Sequence, residues 1–348
     1  MKNAASRTTI GIPVYNEIRF IERTLRSSLG QADEILISDN ASTDGTSEIC
    51  KKFAENHSEI KYIRHNENKG AWFNFAYTLE NSENDYFMWL GGHDLLPLNH
   101  VEKLKNILDT TDAVCAYSNA VHLTEDYVFK YFYEYGYAGE LLSDNPAERV
   151  FSIIKNLVDC TVFHGLYKKS ILIKSMGDAY NDTYFGSDHG ILGEVAYNGK
   201  MQLCHNTIYY RTSPRQDEND TLRYWSRVLH SVYASQDNEM LYRPENIPIG
   251  ICFTHLQTAE KASSCAIDKG RYIDSVKYTL SMRFGYNDLI NKYIEENFNI
   301  KSVHRIKSIS TKIKDIAKIL LPESFYNFVK NIFHTACCLL QEKKNNMR

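Results

Sequence analysis

Short apolar runs and helical patterns alternate along the first third of the chain. The runs are Thr8–Ile12, Glu34–Ser38, Ile60–Arg64 and Asp85–Leu90. Between the first two runs, Ile18, Ile21, Leu25 and Leu29 follow helical spacing, and two later helical segments end near Asn56 and Glu80. Repeated strand–helix units with short connections predict an α/β fold, with a mostly parallel, Rossmann-like sheet flanked by helices.

Polar residues stand directly after these strands, where parallel sheets bind their ligands. They are Tyr15-Asn16-Glu17, Asp39-Asn40, Asn66–Asn68 and His93-Asp94. The sequence contains neither G-x-G-x-x-G after the first strand nor G-x-x-x-x-G-K-[ST], which are the two glycine-rich phosphate cradles. A nucleotide at this sheet would therefore be bound by side chains.

An alternating aromatic segment follows at residues 127–137. Its rings belong to Tyr127, Phe129, Tyr131, Tyr133, Tyr135 and Tyr137. A period of two places all six on one face of a strand, with a turn within residues 133–136 as the alternative. Such a face suits a sugar acceptor, and the alternatives are packing on a second layer or a dimer contact.

From about residue 220 the pattern becomes helical, and the last segment is basic. Two apolar stripes are formed by Leu222, Trp225, Val228, Leu229 and Val232, and by Ile273, Val276, Leu280 and Phe284. Residues 301–348 carry a formal charge of +7, so the remaining 300 residues carry −10. Basic amphipathic helices are typical of contacts with anionic membranes or partner proteins, and docking on the acidic body is the alternative.

Composition narrows the class of protein. The 348 residues are 43% hydrophobic and 24% charged, with a net charge of −3, so nucleic acid is not an expected partner. No apolar run is long enough to span a bilayer, and no signal-peptide core follows Lys2. Eight cysteines without a C-x-x-C pattern favour a reducing, cytoplasmic location.

Three motifs resemble glycosyltransferase family 2. They read IGIPVYNE at residues 10–17, SDNASTDGT at 38–46 and NKG at 68–70. The resemblance covers roughly residues 8–215 and implies a GT-A fold and a nucleotide-sugar donor. It also implies that Pro13, Tyr15 and Glu17 line the base and ribose, and that Asp39 and Asn68 contact the donor. The alternative for Asp39 is a turn and helix cap.

The family's metal motif, usually D-x-D, is degenerate in this sequence. The segment reads LGGHDLLP at residues 90–97, with glycine at the first acid and His93 at the second. We expect His93 and Asp94 to hold a divalent cation, with manganese preferred over magnesium because imidazole is a ligand. The alternative is that Asp94 caps the next helix and His93 is a surface residue.

The catalytic assignment rests on the segment YFGSDHGIL at 184–192 and on Tyr209-Tyr210-Arg211. By resemblance to inverting members of the family, Asp188 is the general base that deprotonates the acceptor hydroxyl. Arg211 is assigned to donor phosphate, with a structural ion pair as the alternative. For His189 the alternatives are a metal ligand, an acceptor contact and a structural histidine.

The predicted organisation is a GT-A catalytic domain (1–215), a helical C-terminal region packing on it (216–300) and a basic amphipathic tail (301–348). The predicted activity is inverting transfer from a UDP-sugar to a glycan or lipid-linked acceptor in cell-surface polysaccharide synthesis. The site of action is the cytoplasm or the inner face of the membrane, and a homo-oligomer is compatible with the sequence. The alternatives are a non-catalytic nucleotide-sugar-binding or scaffolding domain and a sugar nucleotidyltransferase, although the latter lacks its glycine-rich loop here.

Overall fold

The computed structural model describes residues 6–136, 138–179, 187–212, 247–285 and 287–297. The strands are β1 Thr8–Val14, β2 Glu34–Asp39, β3 Ile60–Arg64, β4 Tyr86–Trp89, β5 Cys115–Leu123, β6 Phe129–Tyr133, β7 Leu166–Lys168 and β8 Met201–Thr212. The helices are α1 Ile21–Ser28, α2 Thr46–Asn56, α3 Ala71–Glu80, α4 His100–Thr110, α5 Pro146–Asn156, α6 Lys169–Ala179, α7 Ser187–Asn198, α8 Ile247–Ala262, α9 Lys269–Phe284 and α10 Asn287–Asn297. Short 3₁₀ helices span Glu140–Leu142, Cys160–His164 and Ser263–Cys265.

The strands form one mixed sheet in the order β3-β2-β1-β4-β7-β5-β6, and β8 pairs with β5. Pairs β1–β2, β2–β3, β1–β4 and β5–β8 are parallel, whereas β7 is antiparallel to β4 and β5, and β6 to β5. The predicted mostly parallel α/β sheet is therefore confirmed. Strand β7 was not predicted, because three residues are too few to show an alternating pattern.

Helices cover both faces of the sheet, and adjacent residues of β4 show the division. Met88 belongs to a core cluster with residues of α1, α2 and α4, whereas Phe87 and Trp89 pack with residues of α3, α5, α6 and α7. All seven residues of β1 are buried, as expected for a central strand with helices on either side. The strand runs through Pro13 to Val14, two residues beyond the predicted end.

The aromatic segment forms a shorter strand than its periodicity suggests. Strand β6 covers Phe129–Tyr133 only, so three of the six rings lie on it. Tyr127 precedes it with a positive φ of 61°, and Tyr135 follows it with its ring buried in the core. Tyr137 lies outside the described residues. The strand ends at Tyr133, where the alternative of a turn within residues 133–136 begins, and the left-handed residue Tyr127 lies before its start.

The C-terminal part begins with α8, which packs against α7 and α5. The predicted stripe of Ile273, Val276, Leu280 and Phe284 lies on α9, where Val276 and Leu280 are buried. The chain divides into two compact units, Met1–Gly285 and Tyr286–Arg348. The stripe at 222–232 and the basic tail 301–348 lie outside the described residues, so the proposed domain boundaries stay predictions. Within the described residues, no helix has the length and apolar character of a membrane span.

Candidate active site

The polar strand ends predicted from the sequence meet at one edge of the sheet. Because β1 is parallel to both β2 and β4, the carboxyl ends of all three strands point the same way. Glu17 follows β1, Asp39 ends β2, and His93 and Asp94 follow β4. This edge is where an open α/β sheet binds its ligand.

Asp44 joins the loops that follow β1 and β2. Its carboxylate accepts hydrogen bonds from the Thr46 amide at 3.0 Å and hydroxyl at 2.6 Å, and from the Ile18 amide at 3.1 Å. Burial alone would raise the pKa of Asp44, but these hydrogen bonds outweigh burial and lower the pKa below its usual value. Asp44 thus orders the start of α2 and fixes the loop that carries Tyr15 and Glu17.

Asp39 lies at the predicted strand end, but its carboxylate is fully buried and engaged by protein. One oxygen accepts from the Ser42 amide at 2.8 Å, and the other from the hydroxyls of Ser47 at 2.5 Å and Tyr62 at 2.8 Å. Arg64 Nε lies 3.8 Å away. A nucleotide contact to Asp39 would require one of these partners to be exchanged.

Asn68 and Tyr15 flank the same edge. The Asn68 side-chain oxygen accepts from Asn40 Nδ2 at 2.7 Å and from the Gly70 amide at 2.9 Å, which holds the loop after β3 against the end of β2. The Tyr15 side chain is 39% exposed, so its ring is accessible for stacking. Pro13 is buried within β1, one residue before the end of the strand.

His93 and Glu17 form an ion pair between the β4 and β1 loops. His93 Nδ1 lies 3.0 Å from Glu17 Oε1. Burial lowers the pKa of His93, but the carboxylates of Glu17 and Asp94 outweigh burial and raise the pKa to about 9. The imidazole is therefore cationic at neutral pH in this state, and it places a positive charge at the sheet edge.

Asp94 is buried, with both carboxylate oxygens occupied. Oδ1 accepts from the Thr212 amide and Oδ2 from the Tyr209 hydroxyl, each at 2.8 Å. A Cβ on Gly91 would stand 2.6 Å from Asp94 Oδ2, so the position of the first family acid has no room for a side chain. A metal ion at His93 and Asp94 would have to displace protein partners, because His93 pairs with Glu17 and Asp94 accepts from Tyr209 and Thr212. Their metal role stays a prediction.

Asp188 lies in the first turn of α7, beside Cys160. Its Oδ1 accepts from the His189 amide at 2.9 Å. Burial, together with the nearby Asp188 carboxylate, raises the pKa of the Cys160 thiol well above its usual value. His189 Nδ1 lies 3.3 Å from His255 Nε2, and burial lowers the pKa of both imidazoles. The predicted base thus lies beside a neutral thiol, that of Cys160, and a neutral imidazole, that of His189.

Arg211 links the sheet edge that carries Asp94 to the start of α7 that carries Asp188. Its Nη1 donates to Asp159 Oδ1 at 2.9 Å and to the Thr161 hydroxyl at 3.1 Å. Asp159 also lies 3.0 Å from His122 Nε2. Arg211 follows Tyr209, which holds Asp94, and Asp159 precedes Cys160, which lies beside Asp188. The structural ion pair, which was the alternative for Arg211, is therefore observed. A contact between Arg211 and donor phosphate stays a prediction.

Three residues of the site are not predicted from the sequence: Asp159, His122 and His164. His164 Nδ1 lies 3.0 Å from the Trp89 carbonyl oxygen, and its ring stacks on Tyr209. Because a carbonyl only accepts and burial lowers the pKa of His164, Nδ1 carries the proton and Nε2 a lone pair. The only local signal was Asp159-Cys160-Thr161, where the Asp159 side chain caps the 3₁₀ helix.

Comparison with known proteins finds one family model and several glycosyltransferases that are similar to parts of this chain. Residues 9–175 match the model of glycosyl transferase family 2. The glycosyltransferase GlyA of Streptococcus pneumoniae is 28% identical over 216 residues, which are 59% of this chain and 29% of that protein. The abequosyltransferase RfbV of Salmonella typhimurium is 35% identical over 105 residues, covering 28% of this chain and 32% of that protein. The chain thus spans about a third or less of these relatives.

A solved structure shares the fold. The structure of Staphylococcus aureus TarS 1–349 in complex with UDP-GlcNAc superposes with a TM-score of 0.50 at 14% identity, covering 83% of this chain and 92% of that one. The predicted GT-A fold is confirmed. The resemblance of the three sequence motifs to glycosyltransferase family 2 agrees with this family match, which spans 167 of the 348 residues.

Proposed function

We propose that this chain transfers a sugar, with inversion, from a UDP-sugar to a glycan or lipid-linked acceptor in cell-surface polysaccharide synthesis. The observation that carries the proposal is the set of contacts that links the sheet edge to the start of α7. Tyr209 binds Asp94, and Arg211, two residues further on, pairs with Asp159, which precedes Cys160. The Glu17–His93 pair stands at the sheet edge, and Asp188 lies beside Cys160 at the start of α7. A transferase needs this separation of a donor side from an acceptor side.

On the donor side, the base stacks on Tyr15, and Pro13, Glu17 and Asn68 line the base and ribose. Asp39 contributes either a direct contact, after exchange of a partner, or the order of the loop that binds the nucleotide. His93 adds a cation near the diphosphate, and Arg211 adds a second cation that is shared with Asp159. Positive charge at this place stabilises a diphosphate leaving group.

On the acceptor side, Asp188 takes the proton of the attacking hydroxyl. The oxygen then bonds to the anomeric carbon as the bond to the diphosphate breaks on the opposite face, so the configuration inverts. The leaving diphosphate departs with the electron pair of the broken bond.

The names of relatives support the polysaccharide context. RfbV is an abequosyltransferase, and TuaG of Bacillus subtilis, 29% identical over 121 residues, is a putative teichuronic acid glycosyltransferase. TarS was solved with UDP-GlcNAc, which supports UDP as the nucleotide. We place the reaction at the inner face of the membrane. Manganese at His93 and Asp94 is a separate prediction, and no step above depends on it.

The test compares wild type with Asp188→Asn, using a panel of UDP- and GDP-sugars. Calorimetry measures donor binding in manganese, magnesium or EDTA, and nucleotide release with and without a crude glycolipid acceptor measures turnover. Asp188→Asn should bind the donor with unchanged affinity and lose acceptor-dependent turnover by about a hundredfold or more. Asp274→Asn, on the exposed face of α9, is the matched control.

Two outcomes would overturn the assignment. Near-wild-type turnover in Asp188→Asn would leave this carboxylate a structural residue. Donor binding without hydrolysis or transfer in wild type, with any metal, would favour the non-catalytic scaffold instead. Loss of donor binding in EDTA would show that a cation is needed despite the occupied Asp94.

A further inference from the structure

Three possible metal ligands of different chemical types lie close together in the structure. They belong to Cys160, Asp188 and His189. Cys160 is the first residue of its 3₁₀ helix, and Asp188 and His189 lie in the first turn of α7. A thiol sulfur, a carboxylate oxygen and an imidazole nitrogen from these residues all lie within 4.8 Å of one another. Among the residues that the structure describes, no other three histidine, cysteine or acidic side chains meet this criterion.

A second imidazole, that of His255 on α8, lies beside His189. His255 Nε2 lies 3.3 Å from His189 Nδ1. Two nitrogens that each bind a tetrahedral zinc ion at about 2.0 Å are themselves about 3.3 Å apart. The two imidazoles are therefore spaced as a hydrogen-bonded pair or as two ligands of one ion.

The residue types select the kind of cation. Thiolate, imidazole and carboxylate are zinc ligands, whereas magnesium and calcium prefer oxygen alone. One thiolate and one carboxylate balance the charge of a divalent ion, which suits a site where His189 and His255 are only 6% and 1% exposed. Ligands from three separate segments also explain why no metal motif is visible in the sequence.

We propose that Cys160, Asp188 and His189, with His255, form a binding site for zinc, separate from the diphosphate edge. Binding releases the thiol proton to solvent and leaves a zinc-bound thiolate. A consequence rests on the function proposed above: zinc occupies the lone pairs of Asp188, so the loaded chain lacks its base. Zinc is then an inhibitor of acceptor transfer that leaves donor binding intact.

The test uses cobalt as a probe of the metal-free, tag-free full chain. Tetrahedral cobalt with a thiolate ligand shows a sulfur-to-cobalt charge-transfer band and visible d–d absorption. Wild type should titrate to one cobalt per chain, and zinc should displace it. Cys160→Ser should lose the charge-transfer band, and His255→Gln should weaken binding by about 10- to 100-fold. Cys265→Ser, in the 3₁₀ helix after α8, is the matched control and should keep the wild-type spectrum.

Thermal unfolding without metal shows whether each variant is folded, and His255→Gln carries the test if Cys160→Ser is not. No charge-transfer band in folded wild type, or a band that survives in Cys160→Ser, would overturn the site. UDP binding by calorimetry is measured in the same samples. It depends on the sheet edge, so a failure of the proposed glycosyltransferase function and a failure of the zinc site are distinguished.

Discussion

At the scale of single residues, the Asp39 carboxylate has a structural role and is also the predicted contact for the nucleotide. It accepts three hydrogen bonds in a fully buried position. We expect Asp39→Ala to weaken UDP binding by more than tenfold and to lower the free energy of unfolding by about 2–4 kcal/mol, because three donors lose their acceptor. Calorimetry and urea unfolding measure the two effects.

Ser47→Ala is the control for Asp39, since it removes one of the three donors and leaves the carboxylate. It should reduce stability by about 1 kcal/mol and change UDP affinity little. Equal loss of affinity in both variants would mean that the loop, and not the carboxylate, binds the nucleotide. Unchanged affinity in folded Asp39→Ala would remove this residue from the donor site.

Asp44 gives a prediction about pH. Its pKa is lower in the folded chain than in the unfolded chain, so its ionised form favours folding. This stabilisation is present above about pH 4 and is lost as the pH falls through the folded-state pKa. Asp44→Asn keeps a hydrogen-bonding oxygen but removes the charge, so it should cost about 0.5 kcal/mol at pH 7 and progressively less below pH 4.

Urea unfolding of both proteins between pH 3 and pH 7 checks the Asp44 prediction. Glu55→Gln, on the exposed surface of the same helix α2, is the control and should show little difference at any pH. A gap between wild type and Asp44→Asn that stays constant down to pH 3 would contradict the assigned cause.

At the scale of elements, Asp94 ties the turn after β4 to the end of β8, and Gly91 makes room for it. Gly91→Ala places its Cβ 2.6 Å from Asp94 Oδ2 and should cost about 1–3 kcal/mol. The same change in an Asp94→Ala background should cost at least about 1 kcal/mol less, because the clash is gone. Chemical unfolding of the four proteins measures this coupling.

Gly139→Ala is the control for this cycle. A Cβ there meets no atom within 4 Å, and the residue has a helical φ of −69°. Its effect should stay within about 0.5 kcal/mol. Additive costs for Gly91 and Asp94 would show that the close approach is relieved by movement of the turn.

The parts that the sequence predicts well are those with local causes. Buried strands and amphipathic helices alternate up to β4, so their order and the meeting of Glu17, Asp39 and His93 at one edge follow from periodicity. The direction of the Asp39 carboxylate does not, because Tyr62 reaches it from another strand. Asp159 and Arg211 are 52 residues apart, and no local pattern marks such a pair.

At the scale of the whole molecule, the basic tail and the remaining 300 residues have opposite net charges. Residues 301–348, outside the described residues, carry +7. We expect the full chain to float with anionic liposomes and to be released by high salt. The test variant changes four lysines to glutamate: Lys307, Lys312, Lys314 and Lys318. Each basic residue near an anionic surface contributes about 1 kcal/mol to membrane binding, so the variant should reduce the bound fraction by more than tenfold.

The matched control changes the same four lysines to arginine, which keeps the charge and should keep flotation. Equal flotation of the glutamate and wild-type proteins would sink the membrane prediction. Binding by both that persists at high salt would point to apolar insertion instead of charge.

The bond between Asp94 and Thr212 has a consequence for how the chain folds. The two residues are 118 positions apart, so closing this loop costs more entropy than any strand pairing among β1, β2 and β4. During synthesis, Asp94 leaves the ribosome long before its partners on β8 exist. The parallel half of the sheet can form early, whereas the link between the turn after β4 and the end of β8 forms only once Thr212 has emerged.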